Sequence, residues 1–158
     1  MKRAITIMLL SMPLWLMMSC EEIDCSLYNT VTLYAGFYND GKNVAITDTL
    51  TITSGHENRV LLNRMTGANG WEIPLSYWQQ EDTLTLHVNG LDYSIEDTVW
   101  IRKTNTPHFE SPDCPTNMFH EISAVTSTHH FIDSITVIKA SVDYAQIENI
   151  QLHLFGTP

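Results

Sequence analysis

Apolar and polar residues alternate one by one along much of this chain. In the run 31–37 every odd-numbered residue is apolar, whereas Thr32 and Tyr34 carry hydroxyl groups and Gly36 carries no side chain. Successive side chains of a β-strand point to opposite faces of the sheet. This two-residue period therefore predicts a strand with one buried face.

About seven further runs of this kind follow, separated by turn-forming residues. They centre on residues 50–53, 60–62, 84–88, 99–101, 122–125, 135–137 and 150–154. Asn39-Asp40-Gly41 and Asn89-Gly90 are strong turn sequences, because Asn, Asp and Gly tolerate left-handed backbone angles. No long run has the 3.6-residue period of a helix, and residues 144–149 could form one helical turn at most.

Short strands joined by turns predict an all-β fold. The most favoured architecture is an antiparallel β-sandwich of immunoglobulin-like type, with a single domain over residues 29–158. A small closed β-barrel is the alternative, and its mouth could hold a small apolar ligand.

An Asp-Thr pair precedes an apolar residue at three places, Asp48-Thr49, Asp82-Thr83 and Asp97-Thr98. Asp closes turns through its side chain and Thr favours strands, so these pairs predict the first residues of strands. Metal binding by the aspartates is the alternative interpretation.

The N-terminus has the pattern of a bacterial lipoprotein signal. Lys2 and Arg3 precede an apolar stretch that is too short to span a bilayer comfortably, and this stretch ends in Ser19-Cys20. This lipobox-like ending predicts cleavage after residue 19 and lipid attachment at Cys20, with residues 20–28 as a short tether. An uncleaved anchor, or a cysteine there by chance, is the alternative.

Lipidation at Cys20 predicts a location in the cell envelope, at the outer membrane, with the domain close to the lipid. The acidic segment Glu21-Glu22-Ile23-Asp24 is either a solvated spacer or a surface-export signal. Removal of Lys2 and Arg3 with the signal leaves a formal charge near −12. This acidity argues against nucleic acid as a partner and against adsorption to anionic lipid headgroups.

Two cysteines, Cys25 and Cys114, remain once lipid occupies Cys20. In an oxidising compartment they predict a disulfide bond, and two separate buried thiols are the alternative.

Aromatic residues are the best candidates for a binding surface. Trp71, Tyr77 and Trp78 cluster around Ile73-Pro74-Leu75, and Trp100 lies between Val99 and Ile101 in a strand. Exposed aromatic rings can stack on sugars or anchor a protein partner, whereas buried rings would fill one end of the core. We expect Trp71 to be buried and Trp78 to face outward, because polar residues follow Trp78.

Catalytic and cofactor motifs are weak throughout. The sequence has no GxSxG motif, and His129-His130 with Asp133 is as well explained by a solvated turn as by a metal site. We therefore expect no catalytic residues, metal or cofactor, and a non-enzymatic binding or accessory module for an envelope protein or glycan. A carrier of a small apolar ligand and, last, an envelope hydrolase are the alternatives.

Several segments together resemble an uncharacterised family of small envelope lipoproteins of Gram-negative, gut-type anaerobes. The segments are Asn29-Thr30-Val31, Gly41-Lys42, Asp48-Thr49-Leu50, Ile73-Pro74-Leu75, Cys114 and Asn149-Ile150-Gln151-Leu152. The resemblance implies a lipoprotein with a single domain of unknown function and paired cysteines, and it implies no activity.

Overall fold

A computed structural model describes residues 30–55, 58–112 and 114–156 of the chain. Across these ranges the secondary structure is entirely strand, turn and irregular backbone. The strands are β1 (Leu33–Asn39), β2 (Lys42–Asn43), β3 (Thr49–Ser54), β4 (Val60–Met65), β5 (Gly70–Ile73), β6 (Glu81–Asn89), β7 (Ser94–His108), β8 (Asn117–Ser127), β9 (Ile132–Val137), β10 (Ser141–Val142) and β11 (Ile150–Leu154). The part of the chain so described contains no helix long and apolar enough to cross a membrane.

The strands form two sheets. One sheet has the order β2-β1-β11-β9 with β5 also paired to β1, and the other has the order β10-β8-β7-β6-β3-β4. Neighbouring strands are antiparallel except β1 and β11, which pair in parallel. The predicted all-β sandwich is confirmed, and its first and last strands lie side by side.

The core lies between the two sheets and follows the alternation in the sequence. Leu50 and Ile52 of β3, Leu86 of β6, and Val99 and Ile101 of β7 are fully buried, and each is separated from the next apolar residue of its strand by a partly exposed one. Each strand therefore contributes one apolar face to the interior, as its two-residue period requires.

All eight predicted runs form strands. The weakest of them, at residues 122–125, is part of the long strand β8. The short strands β2, β5 and β10 had no counterpart in the prediction, because segments of two to four residues show no measurable period. Residues 144–149 form no helix.

The strand-initiation interpretation holds for Asp48 and is wrong for Asp97. Asp48 directly precedes β3, whereas Asp97 lies inside β7 and is fully buried. The Asp97 carboxylate accepts hydrogen bonds from the backbone N–H groups of Phe131 and Ile132, both at 2.8 Å, and from the Thr128 hydroxyl at 2.6 Å. The buried Asp97 carboxylate thus fixes the loop between β8 and β9, and these hydrogen bonds compensate for its burial.

Strand directions define two ends of the sandwich. At what we call the N-terminal end, β1 begins, β5 runs into β6 through residues 74–80, and β7 turns into β8 through residues 109–116. The pairing of Leu33 with Ile73 and of Glu81 with Arg102 places these features at the same end. The turn at Gly90, between β6 and β7, marks the opposite end.

Candidate binding site on loop 74–80

The loop of residues 74–80, between β5 and β6, carries the most exposed tryptophan among the described residues. Trp78 is 89% exposed and Tyr77 is 41% exposed. The prediction that Trp78 faces outward is confirmed. Whether this side chain binds anything remains a prediction.

The other two predicted surface tryptophans are placed differently. Trp71 is only 5% exposed and lies on the inner face of β5 opposite Ala35, so the expectation that it is buried is confirmed. Its candidate role in a binding surface remains a prediction. Trp100 points to the outer face of its sheet between Thr83 and Thr126, where it is half-buried. Trp78 and Tyr77 are thus the predicted aromatic residues that are well exposed.

Loop 74–80 is held by a buried ammonium group. The side chain of Lys103, on β7, is completely buried, and its Nζ donates to Ser76 O at 2.6 Å and to Gln79 O at 2.7 Å. A buried ammonium is costly unless oxygen atoms surround it. Here two of those oxygens are main-chain carbonyls of the loop, so burial of Lys103 and the loop conformation depend on each other.

Asn105, two residues further along β7, adds more bonds to the same loop. Its Oδ1 accepts from Lys103 Nζ at 2.9 Å, and its Nδ2 donates to Tyr77 O at 3.0 Å and to Gln79 O at 2.9 Å. Lys103 and Asn105 together therefore bind three carbonyl oxygens of the loop, those of Ser76, Tyr77 and Gln79, without hydrogen bonds to the side chains of Tyr77 or Trp78.

The anionic partner of Lys103 is Asp82. Asp82 Oδ2 lies 3.1 Å from Lys103 Nζ, and Oδ1 accepts from the backbone N–H of Ser76 at 3.1 Å. Burial raises the pKa of Asp82, and attraction to the Lys103 ammonium offsets part of that rise. The carboxylate neutralises the buried cation and anchors the start of the loop.

His120, on β8, completes the buried cluster. Its Nδ1 lies 2.8 Å from Asn105 Oδ1, which can only accept, so Nδ1 carries the proton. Burial, followed by repulsion from the Lys103 ammonium, lowers the pKa of His120 to about 4. His120 is therefore neutral near pH 7, and a second buried positive charge beside Lys103 is avoided.

A concavity of about 300 Å³ lies beside the exposed tryptophan. Its wall includes Trp78, Tyr77, Leu61, Arg59 and Asp82. It thus combines aromatic and aliphatic surface with one guanidinium group, a mixture common in contact sites between macromolecules.

A second concavity, of about 490 Å³, lies along β1 and β5 and is separate from this cluster. Glu72 and Glu148 line it together with Leu62 and Met65. Glu148 accepts hydrogen bonds from the Tyr38 hydroxyl at 3.0 Å and from Gln151 Nε2 at 2.6 Å. The Glu148 carboxylate thus joins Tyr38 of β1 to Gln151 of β11.

The histidine pair predicted as a turn or a metal site is a turn. His129 and His130 lie between β8 and β9 and are exposed, and His130 Nδ1 lies 3.2 Å from the Asp97 carboxylate. Within residues 30–55, 58–112 and 114–156, no group of three or more His, Cys, Asp or Glu side chains could hold a metal ion.

The predicted lipid and disulfide positions lie only partly within the described residues. Cys20 and Cys25 lie outside them, as does the predicted signal. Cys114 lies in the connection between β7 and β8, where its backbone N–H donates to Ser111 O at 3.2 Å. The Cys25–Cys114 bond remains a prediction.

The buried cluster was missed at the sequence level, although a signal for it exists. In Val99-Trp100-Ile101-Arg102-Lys103-Thr104-Asn105 the two-residue period continues past Ile101 and assigns Lys103 and Asn105 to the buried face. A charged residue at such a position is expected to have dedicated partners.

Fold and site together define a small two-sheet β-sandwich that presents an aromatic loop supported by buried charges. The chain belongs to the family of unknown function DUF6452, which it matches over residues 26–154. Comparisons with curated proteins and with solved structures found no match.

Proposed function

We propose that the protein is a non-enzymatic contact module of a Gram-negative cell envelope, anchored by lipid on Cys20, and that loop 74–80 is its contact surface. The observation that carries the proposal is the 89% exposure of Trp78 on a loop held by buried Lys103. A side chain this exposed adds little to the packing of the core, yet the loop that presents it is fixed by buried charges.

Preorganisation explains why such an arrangement suits binding. A fixed loop loses little conformational entropy when it docks, so more of the contact energy appears as affinity. Burial of an exposed tryptophan at the centre of an interface typically contributes about 2–4 kcal/mol. Tyr77 and Arg59 beside it are also residue types enriched in such centres.

The alternative functions have less support. A carrier of an apolar ligand needs an apolar cavity, and Glu72 and Glu148 stand in the wall of the 490 Å³ concavity. A hydrolase needs an accessible pair of proton-transfer groups. Near loop 74–80 the Lys103 side chain is completely enclosed and His120 is buried, and among the residues that line the concavity Asp82 is the single carboxylate.

The position of Cys114 supports the predicted disulfide. Cys114 lies at the N-terminal end of the sandwich, and Cys25 precedes the first described residue, Thr30, by five positions. Five residues reach about 17 Å at most, so the pairing requires Cys114 at this end. Non-reducing mass mapping should find the two cysteines linked, and loss of fatty-acid labelling in Cys20→Ala should identify the lipid site.

The contact surface is tested by crosslinking in the native envelope followed by identification of co-purified components. We expect Trp78→Ala to lose the crosslinked component while the midpoint of thermal unfolding stays within a few degrees of wild type. Leu91→Ala is the matched control, because Leu91 is fully exposed at the opposite end. Equal crosslinking by both variants would refute the assignment of loop 74–80.

A further inference from the structure

The tether joins the sandwich beside loop 74–80. The first described residue is Thr30, and Leu33, at the start of β1, pairs with Ile73, the last residue of β5. Residues 74–80 follow Ile73 directly. The polypeptide that leads back to Cys20 therefore meets the fold at the end that carries Trp78.

The connection between β7 and β8 projects at this same end. β7 runs from Lys103 and Asn105, which bind loop 74–80, on to His108, where the strand ends. Phe109 follows at once and is 68% exposed. Four residues of strand span about 13 Å, so Phe109 lies about that distance beyond Asn105, at the same end of the sheet as loop 74–80.

An aromatic cluster supports the base of this connection. The His108 ring stacks on Phe119 with centroids 4.2 Å apart, and Tyr144 meets Phe119 edge-on at 4.9 Å. Asn117 Nδ2 donates to the Tyr144 hydroxyl at 2.7 Å. Packed aromatic side chains therefore hold the base of the connection that presents Phe109.

We infer that the Trp78 surface, formed by Tyr77, Trp78 and Phe109, docks on the lipid interface of the membrane that holds Cys20. This inference rests on the proposed anchor and names the partner of the proposed contact surface. Trp and Tyr are enriched where protein meets the membrane–water boundary, because each combines an apolar ring with a polar group. Phe109 adds apolar area that can enter the acyl region.

The length of the tether favours this end over the other. Ten residues from Cys20 to Thr30 reach about 35 Å when fully extended. The nine residues of β6 separate loop 74–80 from the turn at Gly90 by about 30 Å, so that turn touches the membrane only if the tether is stretched nearly to its limit. The Trp78 surface can touch it with a relaxed tether.

Tethering also makes a weak contact sufficient. A short flexible link gives an effective concentration of about millimolar, so the lipid contact needs little intrinsic affinity. The negative charge of the chain favours zwitterionic over anionic headgroups, and Glu110 beside Phe109 acts in the same direction.

The test uses lipidated protein in vesicles of phosphatidylcholine with brominated acyl chains, which quench tryptophan on contact. The Trp78 share of the emission is the difference between wild type and Trp78→Phe. We expect brominated lipid to reduce this share about twofold or more relative to plain lipid, and phosphatidylglycerol to weaken the effect. Trp78→Phe with Leu91→Trp is the matched control, since its new indole lies at the opposite end and should not be quenched.

Equal Trp78 emission in brominated and plain vesicles would overturn the lipid contact, as would equal quenching of the Leu91→Trp indole. If the lipid contact fails while Trp78→Ala still loses a crosslinked protein or glycan in the envelope, the contact module stands and its partner is that component. If Trp78 is not quenched and crosslinking in Trp78→Ala is unchanged, both the lipid contact and the role of loop 74–80 as a contact surface are refuted.

Discussion

Replacement of Lys103 by Met tests how loop 74–80 is held. Met fills a volume similar to that of Lys but removes the ammonium, so Ser76 O and Gln79 O lose a donor and Asp82 loses its cation. Removal of one partner of a buried ion pair typically costs about 3–5 kcal/mol. We expect Lys103→Met to lower the free energy of unfolding by this amount.

The loss of unfolding free energy expected for Lys103→Met has two parts. Ser76 O loses its donor, which accounts for about 1–2 kcal/mol, whereas Gln79 O keeps its bond from Asn105 Nδ2; the Asp82 carboxyl group left without its cation accounts for the rest. Asp82→Asn in the same chain removes that charge and keeps an oxygen for the Ser76 N–H bond. The double variant should therefore recover part of the loss, and its total cost should be smaller than the sum of the two single costs.

Urea unfolding followed by circular dichroism gives the free energies, and iodide quenching of Trp78 reports on the loop. Arg102→Met is the control, because Arg102 is the neighbouring cation of β7 and is exposed, with Glu81 at 3.3 Å. A Lys103→Met chain within 1 kcal/mol of wild type, or strictly additive single and double variants, would refute the role of Lys103.

Three further predictions concern other parts of the fold. Because the pKa of His120 falls from 6.5 in the unfolded chain to about 4 in the fold, stability should drop by up to about 3 kcal/mol as the pH falls from 6.5 to 4; His120→Gln should remove this slope in urea titrations, and a slope that persists would contradict the assignment. Gly36→Ala should cost about 1–3 kcal/mol in thermal unfolding, since a Cβ atom there would overlap Glu148 Oε2 and lie 2.8 Å from Tyr38 Cε2; the double variant with Glu148→Ala should cost less than the sum of the two single variants, and strict additivity would point to another cause. Trp71→Ala should cost about 3–5 kcal/mol in urea unfolding because the ring is core; a cost below 1 kcal/mol would contradict that position.

The all-β architecture was predictable because burial of one face of each long strand requires apolar residues at every second position. Leu84, Leu86 and Val88 in β6, and Ile150 and Leu152 in β11, show it directly, and all are buried. The parallel pairing of β1 with β11 could not be predicted, since it depends on contacts between residues more than a hundred positions apart. Alternation within a strand carries no information on its neighbour.

The candidate site was predictable only in part. The outward position of Trp78 followed from the polar residues after it, and Trp71 was expected in the core because it leads into an apolar segment. The Lys103 cluster was overlooked because charged residues are rarely buried, and the favoured interpretation of Asp97 as a strand start failed for the same reason. Buried charges are specified by partners distant in the chain, which a local pattern cannot supply.

The contacts made by Lys103 and Asn105 decide which parts of loop 74–80 can vary. Both side chains bind carbonyl oxygens of the backbone, which every amino acid supplies, and neither touches the side chain at position 77 or 78 through a hydrogen bond. The hydrogen bonds that hold loop 74–80 thus do not involve the Trp78 side chain that it exposes. Substitution of Trp78 therefore leaves these main-chain hydrogen bonds in place, so the most exposed side chain of the loop can vary while the loop backbone keeps its position.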